Sequence, residues 1–106
     1  MWIVNDTEIT VCEGDYGVKL PLTIKDITFA QNDVVLFTLK KSANNTAILT
    51  KSFTNVQQNT VSLELTEADS QLLKNGTYIY TLDWYQDGAF MCNIIRDGVF
   101  KVVDKP

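Results

Sequence analysis

No histidine occurs among the 106 residues of this chain. Without an imidazole, Ser-His-Asp and Cys-His catalysis and His-ligated metal sites are excluded. Long apolar runs are also missing, and nothing approaches the ~18 residues of a membrane-spanning helix. The opening Met1-Trp-Ile-Val-Asn-Asp6 has neither a basic start nor a long apolar stretch, so the expectation is no signal peptide and a protein made and kept in the cytosol, or leaving it by another route such as lysis. Basic residues are outnumbered, nine against thirteen acidic ones. A net charge of −4 and a pI near 4.6 argue against backbone-driven nucleic-acid binding and against anionic membranes. The two cysteines, Cys12 and Cys92, could pair if an early and a late strand are neighbours, but a reducing cytosol makes free thiols the expectation. Three N-x-T sequons, at Asn5, Asn44 and Asn75, matter only in a secreted eukaryotic protein.

What remains is an ordinary globular composition, 45% hydrophobic and 21% charged, in a chain of single-domain size, residues 1–106. Such a chain buries roughly 60–70% of its unfolded surface, enough to fold without a metal or disulfide. Its patterning is that of strands. Glu8 to Val11 is one candidate, followed by a Glu13-Gly-Asp15 turn and by Val18, Leu20, Leu22 and Ile24 alternating with polar residues. Pro21 marks that strand as an edge or a bulge. In Val34 to Lys40 both alternate sets are partly apolar, which predicts a strand near the centre of a sheet. Ala47 to Phe53 returns as its hairpin partner, and Val61, Leu63 and Leu65 form a clean one-faced strand.

A crossover follows. Thr66 is placed to cap a short helix over residues 67–74, with Glu67 and Asp69 in its first turn and Lys74 in its last, and Asn75-Gly76 is read as its stop. Tyr78, Tyr80, Leu82 and Trp84 then share one face of a strand, assigned to the core. Asp87-Gly88 predicts a tight hairpin leading to a strand over 89–95, and Asp97-Gly98 predicts a second turn before a last strand, Val99 to Val103. The expected fold is all-β: an immunoglobulin-like antiparallel β-sandwich of about eight strands with one short helix.

Chemistry-bearing residues are few. Glu64, Glu67 and Asp69 fall on a solvent face and a helix start, which is solvation and capping rather than paired-carboxylate catalysis. Glu13, Asp15, Asp26 and Asp33 lie near strand ends with no calcium-loop spacing, so turn formation explains them. Cys12 and Cys92 read as small apolar fillers, with no basic neighbour to activate them. No catalytic residue, metal ligand or cofactor site is expected. Among the aromatics, Trp84 belongs to the core face. Tyr85 points the other way beside a hairpin turn, and Trp2 sits near the terminus, which makes Tyr85 and Trp2 the candidate contact residues.

Several segments, taken in order, resemble the small immunoglobulin-like structural domains of tailed phages and prophages of Gram-positive bacteria, of the type found at the N-terminus of baseplate upper proteins. They are Ile9-Thr-Val-Cys-Glu-Gly-Asp15, Leu20-Pro-Leu-Thr-Ile24, Asp33-Val-Val-Leu-Phe-Thr-Leu-Lys-Lys41, Val61-Ser-Leu-Glu-Leu-Thr-Glu-Ala-Asp69, Gly76-Thr-Tyr-Ile-Tyr80 and Gly98-Val-Phe-Lys-Val102. The resemblance spans residues 8–103 and departs at Asp83-Trp-Tyr85, where such domains carry an aliphatic strand. It implies a non-catalytic virion module that assembles with other baseplate or tail proteins or with itself. The alternative is a carbohydrate- or receptor-binding sandwich that uses Tyr85 and the hairpin loops.

Overall fold

Alternating burial along the strands decides the architecture. The structure, a computed structural model, describes residues 2–5, 8–17, 19–25, 27–42, 46–56 and 59–104, with residues 2–5 described by backbone alone. Eight strands and one helix follow in chain order: β1 (Trp2–Asn5), β2 (Glu8–Cys12), β3 (Lys19–Thr23), β4 (Val34–Lys40), β5 (Ala47–Phe53), β6 (Thr60–Glu64), α1 (Glu67–Leu72), β7 (Gly76–Gln86) and β8 (Ala89–Val103). Six strands form one sheet in the order β1-β2-β8-β7-β4-β5, and β3 pairs with β6 in a second. This is the expected all-β sandwich, eight strands and one short helix among the described residues, with one departure from a wholly antiparallel arrangement. The pair β2–β8 is parallel, Ile9 to Cys12 running beside Phe100 to Val103. Strands β3 to β7 and the helix lie between these two strands in the chain, so no hairpin dictates their relative direction.

In β4 the expectation of a central strand holds. Val35, Phe37 and Leu39 are completely buried, while Val34, Leu36, Thr38 and Lys40 are half-buried by flanking β5 and β7. Leu20, Val61 and Leu63 from the small sheet meet that inner face, together with Tyr80 and Leu82 of β7 and Phe100 and Val102 of β8, in one contiguous core. Phe37 lies at its middle, stacked on Tyr80 at 5.4 Å and tilted against Phe100 at 6.4 Å. Pro21 is exposed on β3, which among the described residues has β6 as its only partner strand, so the missing N–H costs the ladder little. Of the four residues expected on the buried face opposite Pro21, Leu20 and Ile24 are buried and Leu22 is half-buried; Val18 lies outside the described residues.

The crossover differs in detail from expectation. Thr66 caps α1 as expected, and Asp69 completes a capping box. The Asp69 N–H donates to Thr66 Oγ1 at 3.1 Å, and the Thr66 N–H donates to Asp69 Oδ2 at 3.0 Å. The helix ends at Leu72, before Lys74, and Gly76 opens β7 rather than stopping the helix. Leu73 terminates it by turning to extended backbone, which carries its side chain into the core and leaves Leu72 about half exposed. Four residues after Lys74, the Tyr78 hydroxyl donates to Lys74 O at 2.9 Å and accepts from the Lys74 N–H at 3.0 Å. This is the tyrosine corner of immunoglobulin-like sandwiches, a tyrosine at the start of a strand tied to the backbone upstream of it. Tyr78→Phe removes both bonds at a partly buried loop and is expected to cost about 1–2 kcal/mol, read as a lower urea midpoint with an unchanged slope.

Two further differences concern the ends of the large sheet. Trp2–Asn5 is a strand, β1, paired with β2, which its lack of alternation hid. Asp97-Gly98 is not a turn. Asp97 does adopt the left-handed region (φ 55), but β8 runs unbroken from Ala89 to Val103 and absorbs it as a β-bulge against β7. Cys12 and Cys92 are free thiols, one opposite Val103 and the other opposite Trp84. Eleven residues of β8 separate those two positions, far beyond the Cα reach of a disulfide.

A candidate protein-docking face at the end of the bulged ribbon

The longest two strands, β7 and β8, form a ribbon closed by Asp87-Gly88. Both turn residues have positive φ, 50° and 81°, the signature of a type I′ turn whose twist suits a hairpin. Above the turn the strands are unequal. Tyr80 to Gln86 spans seven residues on β7, whereas the facing stretch Gly98 to Ala89 spans ten on β8, and the register shifts three times. Each shift adds one residue to β8. The extra residues bend the ribbon and keep the outer edge of β8, beyond its pairing with β2 at Phe100, from presenting a flat ladder to another strand.

That bulging also sets which side chains face out. Tyr85 is directly opposite Phe90 on β8 and Val34 on β4, and its ring meets Phe90 edge to face, centroids 5.7 Å apart. Phe90 and Met91 are among the few large hydrophobic side chains left exposed, at 54% and 44%. In the next row Leu36, Asp83 and Asn93 are aligned; Asn93 Nδ2 donates to Asp83 Oδ1, and Arg96 Nη2 donates to Asn93 Oδ1 at 2.8 Å. The result is an outward patch of Val34, Leu36, Tyr85, Phe90 and Met91 beside a small polar network.

Behind the patch the ribbon is held rigidly. Trp84 points inward, half-buried, with its ring edge to face against Phe29 at 5.6 Å and Nε1–H donating to Asp33 Oδ2 at 2.9 Å. The same carboxylate oxygen accepts the Ala30 N–H at 2.9 Å, so a fully buried Asp33 joins the loop before β4 to the far end of β7. Asp33 is therefore an anchor for the indole, a role its position near a strand end did not reveal.

Tyr85 thus lies in the patch, half-buried against Phe90 rather than standing free. Trp2 does not join it. Its backbone, in β1, pairs with Val11 of β2, level with Val102 at the other end of β8 and roughly 30 Å from Phe90 along the strand; its side chain lies outside the described residues. Phe90 and Met91 were missed because a strand with three extra residues loses the period of two by which faces are read.

The carboxylates considered for catalysis are dispersed, with Glu64 and Glu67 exposed and Asp69 in its cap. Of those considered for calcium, Glu13 accepts the Asn75 N–H at 2.6 Å, Asp33 holds Trp84, and Asp26 lies outside the described residues. Asn75 in turn donates through Nδ2 to Asp104 Oδ1 at 2.5 Å. No group of three or more His, Cys, Asp or Glu side chains among the described residues is placed to hold a metal ion. The chain matches no protein-family profile, no curated protein and no solved structure at a significant level.

Proposed function

We propose that this chain is a non-catalytic structural module of a phage or prophage particle, part of a baseplate or tail, that works by docking onto other proteins. The observation that carries the docking is the outward patch of Tyr85, Phe90, Met91, Val34 and Leu36 on a ribbon stiffened by Trp84 and Asp33. Contiguous aromatic and methionine side chains on a rigid support are what protein interfaces select, because they bury much area while losing little side-chain freedom. The phage assignment rests on the resemblance of the segments between Ile9 and Val102. In the fold these segments are β2, β3, β4, β6 with its cap, the start of β7 and the end of β8, which is scaffold rather than patch.

The carbohydrate reading uses the same side chains differently. Sugar binding by stacking needs an open, flat ring face. The edge-to-face contact of Tyr85 with Phe90, at an interplanar angle of 71°, sets the two rings across each other and makes no common platform. Protein docking is therefore the reading the geometry favours.

The test is mass spectrometry of particles purified from an induced culture of the source bacterium. The expected result is this chain in intact particles, retained through density-gradient purification. Consistent absence from intact tails overturns the virion role.

A further inference from the structure

We propose that the outer face of the six-stranded sheet binds a second copy of this chain, the two faces being related by a two-fold axis that lies between them and runs across the strands. This rests on the docking reading above and names the partner. On β4 and β7 the outward positions are Val34, Leu36, Thr38 and Lys40, and Ile79, Thr81, Asp83 and Tyr85. Only two of these eight carry charge. The solvated face of an antiparallel sheet ordinarily reads as polar, whereas strands covered on both faces read as nearly continuous apolar runs, as β4 does. The middle of the face is a row of short hydroxyl side chains, Thr81, Thr38 and Thr50, aligned across three strands. Such a row lets a second sheet approach to the ~10 Å of stacked sheets.

Lys101 and Glu8 on the same face pair with each other at 2.9 Å, so the charges of β4 and β7 choose the occupant. Asp83 lies on the turn side of the threonine row and Lys40 on the opposite side, next to Ile79 and Val99. Rotation about an axis along the threonine row exchanges these ends. It sets Asp83 over Ile79 of the partner subunit, with Lys40 of the partner subunit one strand across and its long side chain able to reach the carboxylate, and the reverse contact forms by symmetry. It also carries Tyr85 over Thr77 of the partner subunit, beside Ile79 of the partner subunit. A self-complementary face of this kind is what an isologous interface requires, and opposite charges at opposite ends fix its register. Edge-to-edge strand addition is disfavoured at two places, along the free length of β8 by its bulges and at edge strand β5 by the inward-pointing Lys51.

Sedimentation velocity over a wide concentration range, with Asp83→Lys, Lys40→Glu and the double variant, tests this. The wild type should show a concentration-dependent monomer–dimer equilibrium. Each single reversal places like charges together and should weaken dimerisation at least about tenfold. The double variant restores the pairing with the signs exchanged and should recover to within a few-fold of wild type. Phe90→Ser should weaken it too. Circular dichroism and urea midpoints near wild type establish that the variants fold. A wild type that stays monomeric at the highest concentration overturns the proposal, as does a double variant no better than the singles. A monomer that is still found in purified particles overturns self-pairing alone; a dimer consistently absent from them overturns the virion role alone.

Discussion

Gly98→Ala should destabilise the domain by about 3 kcal/mol, the upper part of the range for overpacking a closed core. A Cβ at Gly98 would lie 2.6 Å from both Cε1 and Cζ of Tyr80 and 3.1 Å from Cγ2 of Ile95. Gly98 is directly opposite Tyr80 on β7, so the tyrosine ring lies across the glycine backbone, filling the space a side chain would take. The ring has nowhere to retreat. It is 1% exposed, stacked on Phe37 at 5.4 Å, and so far from water that burial pushes its hydroxyl up to about 12. The cost is steric, since φ at Gly98 is outside the left-handed region that favours glycine. In a domain of this size the loss corresponds to a fall in Tm of about 12 °C or more. Chemical denaturation of Gly98→Ala, Tyr80→Leu and the double variant separates the contact from general damage. Tyr80→Leu leaves a cavity of its own, yet it clears the space over residue 98. The double variant should therefore be more stable than the sum of the singles predicts, by at least about 1 kcal/mol. Strict additivity would show that the ring and the glycine do not constrain each other.

The same two residues show where sequence reading succeeds and where it stops. Tyr80 was legible as core because it shares a period of two with Tyr78, Leu82 and Trp84, and three of those four are buried with Trp84 half-buried. Gly98 was legible only as part of an Asp-Gly pair. Such a pair permits a positive φ, but it does not say whether the chain reverses there or bulges, and pairing with β7 decides for the bulge. Asp87-Gly88 carries the same dipeptide and does reverse, because the strands on its two sides pair with each other up to Gln86 and Ala89. Local chemistry restricts the backbone at both places, and tertiary pairing selects the outcome.

The docking face divides in the same way. Tyr85 was legible from its parity against Trp84. Val34 and Leu36 were visible as the second apolar set of β4, and their meaning needed the sheet order, which places them in rows with Tyr85 and Asp83. Phe90 and Met91 were illegible because the bulges destroy the alternation. Trp2 was singled out for its size and place in the chain, and neither property carries information about which strand it joins. The split follows from the physics: the scaffold is written in periodicity, which is local, whereas the face is assembled from three strands whose pairing is not.

Asp69→Ala should cost about as much as Gly98→Ala, roughly 3 kcal/mol, through two losses at one side chain. The first is the capping box with Thr66, without which a six-residue helix has little to hold its first turn. The second is an ion pair with Lys51, whose Nζ lies 2.6 Å from Asp69 Oδ2. Lys51 comes from β5, the edge strand of the large sheet, and projects inward from the row of Phe37. An inward-pointing charge discourages strand addition at an edge, and here it also ties that edge to the crossover. The pair is well shielded, with side-chain exposures of 25% and 12%, so removing the carboxylate strands a half-desolvated ammonium. Burial alone would raise the Asp69 carboxyl. The Lys51 and Thr66 hydrogen bonds and the Lys51 charge outweigh it and hold the carboxyl below its usual 3.8. Because the folded value lies below the unfolded one, the stabilisation is fully present above about pH 4 and is lost as pH falls through the folded value. Asp69→Asn keeps an oxygen for the cap and removes only the charge. Urea midpoints of the wild type should therefore fall more steeply between pH 5 and pH 2.5 than those of Asp69→Asn, the two curves converging at the acid end as wild-type Asp69 becomes neutral. Lys51→Met should flatten the wild-type curve in the same way, and parallel curves for all three proteins would show that the pair contributes nothing to the acid response.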